Sequence, residues 1–362
     1  MNNKKYLKIF VMFILLFSLL VIYTNRAICY TPTQNNLYVI QKDGKFGYIN
    51  NKGKIIIQPK YDNAKEFSDG LAVVSLIKNG DSLYGYINEK GNIVINIKYP
   101  YALSFNEGLA PVASYTNNTK DNYKFGYINK SGNLVIDFKY TYCSSFSNDL
   151  ACFIATESLF DDPMGKLGYI NKSGSIVVKP SFDMTITRSI SFYDGIACVS
   201  KGGNRLFIDS SGNNIFKERV FSDAYNFSEN LAGVKDNNNM WGFINKDGTY
   251  AIKPAYEDIN SFTNGLASVK INGKWGFINK SGKYIIKPKY EDADIFSEGL
   301  AAVKVNQKWG YINKSGKFVI KPTFDSAYEF SNGIASVSIG DLKNYHSGYI
   351  NTKGQYIWRP TK

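Results

Sequence analysis

His346 is the chain's only histidine. Acid–base or nucleophilic catalysis needs a base held against a partner by the fold. No Ser-His-Asp or Cys-His pattern surrounds His346, which sits beside Tyr345 in a variable segment. Carboxylates are the other candidates: Asp62, Asp183, Glu257, Asp258, Glu291, Asp292 and Asp325. Glycoside hydrolysis uses one acid pair at a defined separation, whereas these acids recur at one place in successive stretches. That recurrence points to turn capping or pairing with nearby Lys. Calcium would suit turns of the "FSDG" kind, but Asn148, Asn264 and Asn332 take the acid's place too often. No zinc spacing, P-loop or dinucleotide glycine pattern is present. The chain is expected to be no enzyme and to hold no metal and no cofactor.

Binding chemistry is better represented. Tyr115, Tyr123, Phe160, Tyr345 and Trp358, with His346, are the candidate contact residues outside the regular pattern. Aromatic rings supply stacking area and Tyr adds a hydroxyl. Cys143, Cys152 and Cys198 show no CxxC spacing. Cys152 and Cys198 share one place in neighbouring stretches, which reads as a small buried slot.

The elements that position these residues are repeated. An aromatic-Gly pair recurs with its glycine at Gly47, Gly85, Gly126, Gly168, Gly242, Gly276, Gly310 and Gly348, and Leu206 stands in the fifth place. Trp241, Trp275 and Trp309 fill the aromatic slot only three times. Nine units result. In each, "LASVK", "WGFIN" and "KYIIKP" read as three strands, with no apolar stripe at helical spacing. Asn272-Gly273 predicts a tight hairpin between the first two strands. Asn279 to Gly282 predicts a turn with a positive-φ glycine before the third. Pro180, Pro254, Pro288 and Pro322 are expected to end third strands, having no ladder donor.

From the aromatic-Gly glycine to the next Gly-Leu-Ala leucine the step is 24 residues in six of eight cases. The length variation falls in the hairpin between strands one and two, with insertions at 114–124, 155–166 and 338–347. Stacked repeats place equivalent loops on one side, where insertions mark either a binding side or a tolerant one.

Residues 1–29 differ in kind. Lys4, Lys5 and Lys8 precede an apolar run from Ile9 to Tyr23, followed by Ala27 and Cys29. This is the layout of a secretory signal cut before Tyr30, or of an uncleaved N-terminal membrane anchor. The run of 15 residues, interrupted only by Ser18, falls short of the ~20 that a spanning helix needs. Loss of Lys4, Lys5, Lys8 and Arg26 lowers the net charge from +13 to +9. An anionic surface or polymer suits such a body; nucleic acid does not suit an exported chain. A linker at 30–36, a repeat array at 37–360 and a tail at 361–362 complete the division.

With "KWGFINKSGKYIIKP" and "FSEGLAAVK", the chain resembles the WG (Trp-Gly) repeat family of bacterial proteins. The resemblance runs over nearly all of 37–360 and is poorest at 204–220. It implies a β-rich repeat array that acts as an interaction module, with no catalytic activity.

The expected fold is all-β: nine three-stranded meanders in an open twisted solenoid, preferred to a closed β-propeller, after an N-terminal hydrophobic helix. Unequal spacing, the degenerate fifth unit and the count of nine favour the open form. The "LYVI" at 37–40 offers the alternative, a strand that completes the last unit and latches a ring. The expected function is a secreted or surface-tethered monomeric scaffold for a protein partner. The alternative is a cell-wall or carbohydrate binder using aromatics and Lys.

Overall fold

The computed structural model describes residues 37–116, 122–154, 165–184, 189–340 and 346–359. All its regular elements are strands, and no helix occurs among the described residues. The hydrophobic helix expected near the N-terminus lies outside them.

The unit at 258–290 shows how the phrase folds. Its first strand, Leu266–Ile271, pairs with its second, Lys274–Asn279, from Leu266↔Asn279 to Ile271↔Lys274. Asn272 and Gly273 close this hairpin with φ of 48° and 72°, the primed-turn geometry that matches strand twist. In the next turn the Asn279 carboxamide oxygen accepts the N–H groups of Ser281 and Lys283 at 3.1 and 3.0 Å. Gly282 follows at φ 79°, where a side chain would be strained.

The third strand, Tyr284–Tyr290, accounts for the aromatic-Gly pair. Trp275 pairs with Tyr290 and Phe277 with Ile286, so two steps on the second strand face four on the third. The surplus, Lys287 to Lys289, bulges over Gly276. A Cβ on Gly276 would lie 2.6 Å from both the Ile286 oxygen and the Pro288 nitrogen. Gly47, Gly85, Gly126, Gly168, Gly242 and Gly310 meet the same backbone at 2.4–2.6 Å. Pro288 therefore sits within the strand at its bulge instead of ending it. Unit five tolerates Leu206 because it has strands only at Ala197–Lys201 and Asn204–Ile208, with turns where a third strand would cross.

Six of the three-stranded meanders, those of units two, four, six, seven, eight and nine, gain a short extra strand from the segment before them. Asp258–Ile259, for example, pairs with Lys270 and Val269. Eight sheets carry the nine units, because one six-stranded sheet holds units four and five, joined by the pairing Asp183↔Ser200.

The open twisted solenoid is overturned by contacts between the first and last units. Around the chain, the aromatic of one unit's second strand packs on the Phe of the next unit's Phe-Ser turn. Tyr48 meets Phe67, Tyr86 meets Phe105, Tyr127 meets Phe146, and so on to Tyr311 and Phe330, with ring centroids 4.7–5.1 Å apart. Tyr349, in the last unit, completes the series against Tyr38 in the first at 5.7 Å. Its hydroxyl donates to the Val39 oxygen at 2.8 Å, as Tyr48 donates to Lys65 and Tyr86 to Leu103. The Tyr38 hydroxyl donates to the Asn332 oxygen at 3.2 Å. Turn glycines repeat the rule: Gly91 lies over Ile57, Gly316 over Ile286, and Gly53 of unit one over Ile357 of unit nine. Tyr38, Ile40, Ile49 and Ile334 form a buried seam cluster, which an open end would expose to water. The chain is a closed ring of sheets, a β-propeller. "LYVI" closes it by packing, since Leu37–Lys42 pairs only within its own sheet, from Leu37↔Asn50 to Lys42↔Lys45. Unequal spacing does not prevent closure, because the first and second strands flanking the variable segments still pair in register.

Burial orients the sheets. First strands such as Leu150–Ile154 are buried throughout, and third strands such as Phe318–Phe324 expose alternate residues. The third strands form the outer rim and the short strands face the axis.

Glu66, just after the short strand Asn63–Ala64, accepts the Val39 N–H at 3.3 Å and ties the first strand to unit two. Burial raises its pKa from the ordinary 4.5 to about 7. The folded state thus favours the protonated acid. Its stabilising effect is full below pH 4.5 and is lost as pH rises to about 7. Glu66→Gln is expected to flatten the fall in melting temperature between pH 5 and 8. That part of the fall corresponds to about 1–2 kcal/mol, half the full linkage because the side chain keeps some contact with water. Parallel melts of both proteins across that range check it.

Candidate binding site

One face of the ring carries the hairpins between first and second strands. In the regular units an acid after the third strand caps that hairpin. Asp62 accepts the Ile77 N–H at 2.7 Å and the Lys45 ammonium at 2.5 Å. Glu257 accepts from Gly273, Glu291 from Asn306 and Gln307, and Asp325 from Gly340 and Lys308. Asp183 caps Gly202 and pairs with Lys166. These bonds hold Asp62, Asp183 and Asp325 below the ordinary carboxylate range, the Lys contact contributing most. The recurring acids cap turns, as their repetition suggested.

Units three, four and six break this rule; in unit six Ser222 takes the place and its hydroxyl donates to the Lys235 and Asp236 oxygens. Pro100 and Thr141 occupy the capping place, and Tyr101 and Tyr142 follow where other units carry Asn63, Asp258 or Asp292. Units three and four both carry long hairpin insertions. In unit three Tyr115 pairs across the hairpin with Tyr123. Tyr123 packs on Phe125 at 5.6 Å and Tyr101 packs on Phe125 at 5.5 Å, both at 82°. Tyr101 reaches back to Tyr84 of unit two at 6.0 Å. Tyr142 lies near Tyr101, and burial holds its pKa well above the ordinary value. Burial pushes Tyr101 up to about 12, with Tyr123 and Tyr84 adding to the rise, and raises Tyr123 and Tyr84 as well. These hydroxyls therefore remain protonated donors. All five tyrosines are half-buried. The hydroxyls of Tyr84, Tyr101 and Tyr123 form no hydrogen bond with another described residue. The arrangement offers apolar ring surface and several phenolic donors on one face.

The other candidates lie apart. His346 and Trp358 belong to unit nine: His346 opens the second strand opposite Ile339, and Trp358 is half-buried at the seam cluster beside Ile357. Phe160 and Tyr345 lie outside the described residues, as do 117–121, 155–164 and 341–345 of the insertions. Cys143 and Cys152 are buried thiols; burial raises Cys152 to about 12 and Cys143 further, which removes them as nucleophiles. No cluster of metal-ligating side chains occurs among the described residues. Sequence reasoning missed Tyr84 and Tyr101. Tyr84 sits in the aromatic slot and looked like core. The available signal was the exchange of acid for Pro100 and Thr141 in the very units with long hairpins.

Comparison with known proteins finds no match among curated proteins. Among solved structures the chain is similar to BamB from Moraxella catarrhalis, with TM-score 0.42 and 10% identity over 80% of this chain and 94% of that one. It is also similar to Kluyveromyces lactis Hsv2p, with TM-score 0.42 and 10% identity over 68% and 90%. The WD40 β-propeller domain of Doa1 aligns with TM-score 0.34 and 11% identity over 89% and 97%. Likenesses this loose carry no argument about ligand or role. A family model for the WG containing repeat matches eight successive segments, 46–79, 84–113, 125–153, 168–204, 207–239, 241–275, 275–309 and 309–342. With the bulge over each aromatic-Gly glycine, those matches place the chain in the WG-repeat family.

Proposed function

We propose that the protein is a non-enzymatic scaffold that binds a protein partner through the hairpin face of units two to four. One observation carries this reading. Where the repeat departs from its own pattern, at Pro100, Tyr101, Thr141, Tyr142 and the adjoining hairpins, the departures gather tyrosines on one surface. Tyr is favoured in recognition surfaces because it offers large area and a hydroxyl at low entropic cost. Tyr101 and Tyr123 already pack edge to face with Phe125, and Tyr84 packs tilted on Tyr101, which favours a protein over a sugar that needs an open ring face. The N-terminal segment supports export, with the scaffold secreted or tethered at the surface.

The test is retention of surface proteins and of purified cell wall by the wild-type protein and by Tyr101→Ala/Tyr123→Ala. The expected result is a specific protein partner bound at least tenfold more weakly by the variant, which melts at a lower temperature because both rings pack on Phe125 but is still folded, in one cooperative transition, above the assay temperature. Hot-spot aromatics cost about 2 kcal/mol or more when truncated. Wall retention in low salt that disappears in the variant would transfer the site to the carbohydrate reading.

A further inference from the structure

The outer rim differs electrostatically from both faces of the ring. The rim segments are 54–60, 92–98, 133–139, 175–181, 249–255, 283–289, 317–323 and 355–359, each the third strand of a unit with its lead-in residue. Together they hold twelve cations (Lys54, Lys60, Lys98, Lys139, Lys179, Lys253, Lys283, Lys287, Lys289, Lys317, Lys321 and Arg359) and one acid, Asp137. All twelve are exposed. They occupy only the first, fifth and seventh positions of each segment, which alternation places on one face of the strand.

Charge balance separates the rim from the rest, where acids offset the lysines and some pair with them. Lysines on the hairpin face meet acids, as in Lys45–Asp62 and Lys308–Asp325. Some lysines of the Asn-Lys-Ser-Gly turns do too, as in Lys172–Glu107 and Lys280–Glu229. None of the twelve rim cations forms an ion pair with a described residue. Residues 30–362 carry +9, so the rim's excess of eleven more than accounts for the body's whole positive charge. Lysine and proline on an exposed sheet edge also prevent edge-to-edge pairing, but Glu would do that equally well. Edge protection leaves the single sign unexplained.

We infer that the rim is a binding track for a linear polyanion bearing phosphate or sulfate groups. Nine of the twelve cations lie on units six to nine and unit one, which are successive around the closed ring, and a flexible chain can follow them from unit to unit, whereas a flat bilayer touches only an arc. A second copy of the protein is repelled by the same charge. This surface is separate from the tyrosine cluster, so either can fail alone.

Long-chain inorganic polyphosphate is the probe, titrated against the full-length protein over a series of salt concentrations. Comparators are orthophosphate and phosphatidylcholine vesicles containing phosphatidylglycerol. The expected result is polyphosphate binding that weakens steeply with salt and is not matched by orthophosphate. In Lys283→Gln/Lys287→Gln/Lys289→Gln the slope of log affinity against log salt becomes shallower by about 2–3, at roughly 0.7–0.9 per phosphate contact, and low-salt affinity falls about tenfold or more. The paired turn lysine, as Lys280→Gln, leaves both nearly unchanged. Exposed rim substitutions should not alter melting, which confirms a folded variant. The inference is overturned by no polyphosphate binding at low salt, by equal loss in Lys280→Gln, or by vesicle binding in preference to the polymer.

Discussion

Gly276→Ala is expected to cost about 3 kcal/mol or more of folding stability, far above the ~1 kcal/mol typical of a glycine replacement in regular structure. The new methyl carbon would meet the Ile286 oxygen and the Pro288 nitrogen at 2.6 Å and the Lys287 carbonyl carbon at 2.9 Å. All three are backbone atoms, so no side chain can rotate away. Relief requires the third strand to lift off the second, which breaks the bulge and exposes the Ile286 side chain, now 5% accessible. Gly299 makes a good control: its φ of 82° strains an Ala, but nothing lies within 4 Å of a Cβ there. Gly299→Ala should therefore cost clearly less, about 1–2 kcal/mol from backbone strain alone. Denaturant unfolding of the two variants measures the difference. Equal costs would show that the aromatic-Gly pair is not set by strand crossing.

Removing the seam side chains should have the next largest effect. Tyr38→Ala with Ile40→Ala deletes two residues that are 8% and 2% accessible at the junction of first and last units. Large-to-small changes at such positions cost about 2–5 kcal/mol each, and the pair shares neighbours, so the sum is not strictly additive. A loss of about 5–8 kcal/mol is comparable to the whole stability of a typical domain, 5–15 kcal/mol. In a ring the damage is not local. Tyr349 loses its ring partner, and Trp358 and Ile334 lose cover. The variant should melt cooperatively at a much lower temperature, or populate an opened form with exposed apolar surface. In an open array the first strand is a frayed end, and the same substitutions would cost little. Calorimetry with a dye that reports apolar exposure distinguishes the two.

Much of the unit was legible because each local device has a residue signature. Asn272-Gly273 specified a primed hairpin and Asn279 with Gly282 specified the following turn, and both form. The acids after the third strands were correctly read as caps. The role of Pro288 was misjudged because a strand end and a bulge both lack a ladder donor, and the sequence does not distinguish them. Closure was missed for a different reason. The contact that joins units is Tyr or Phe against the Phe of the next Phe-Ser turn, and at the seam Tyr38 supplies the ring from a strand instead of a turn. Position in the phrase hid an equivalence that only geometry shows. The tyrosine cluster was half visible: Tyr115 and Tyr123 stood out in an insertion, whereas Tyr84 and Tyr101 were absorbed into the repeat.

Spin labels at Lys52→Cys and Lys353→Cys test ring closure directly. Both positions are exposed and lie before the glycine of equivalent turns in units one and nine; the native Cys143, Cys152 and Cys198 are buried. Neighbouring sheets pack about 10 Å apart, so the closed ring predicts a single dipolar distance of about 10–25 Å once the label linkers are included. Nine units in an open stack would separate the same labels by roughly 80 Å. A long distance in the folded protein would contradict the β-propeller.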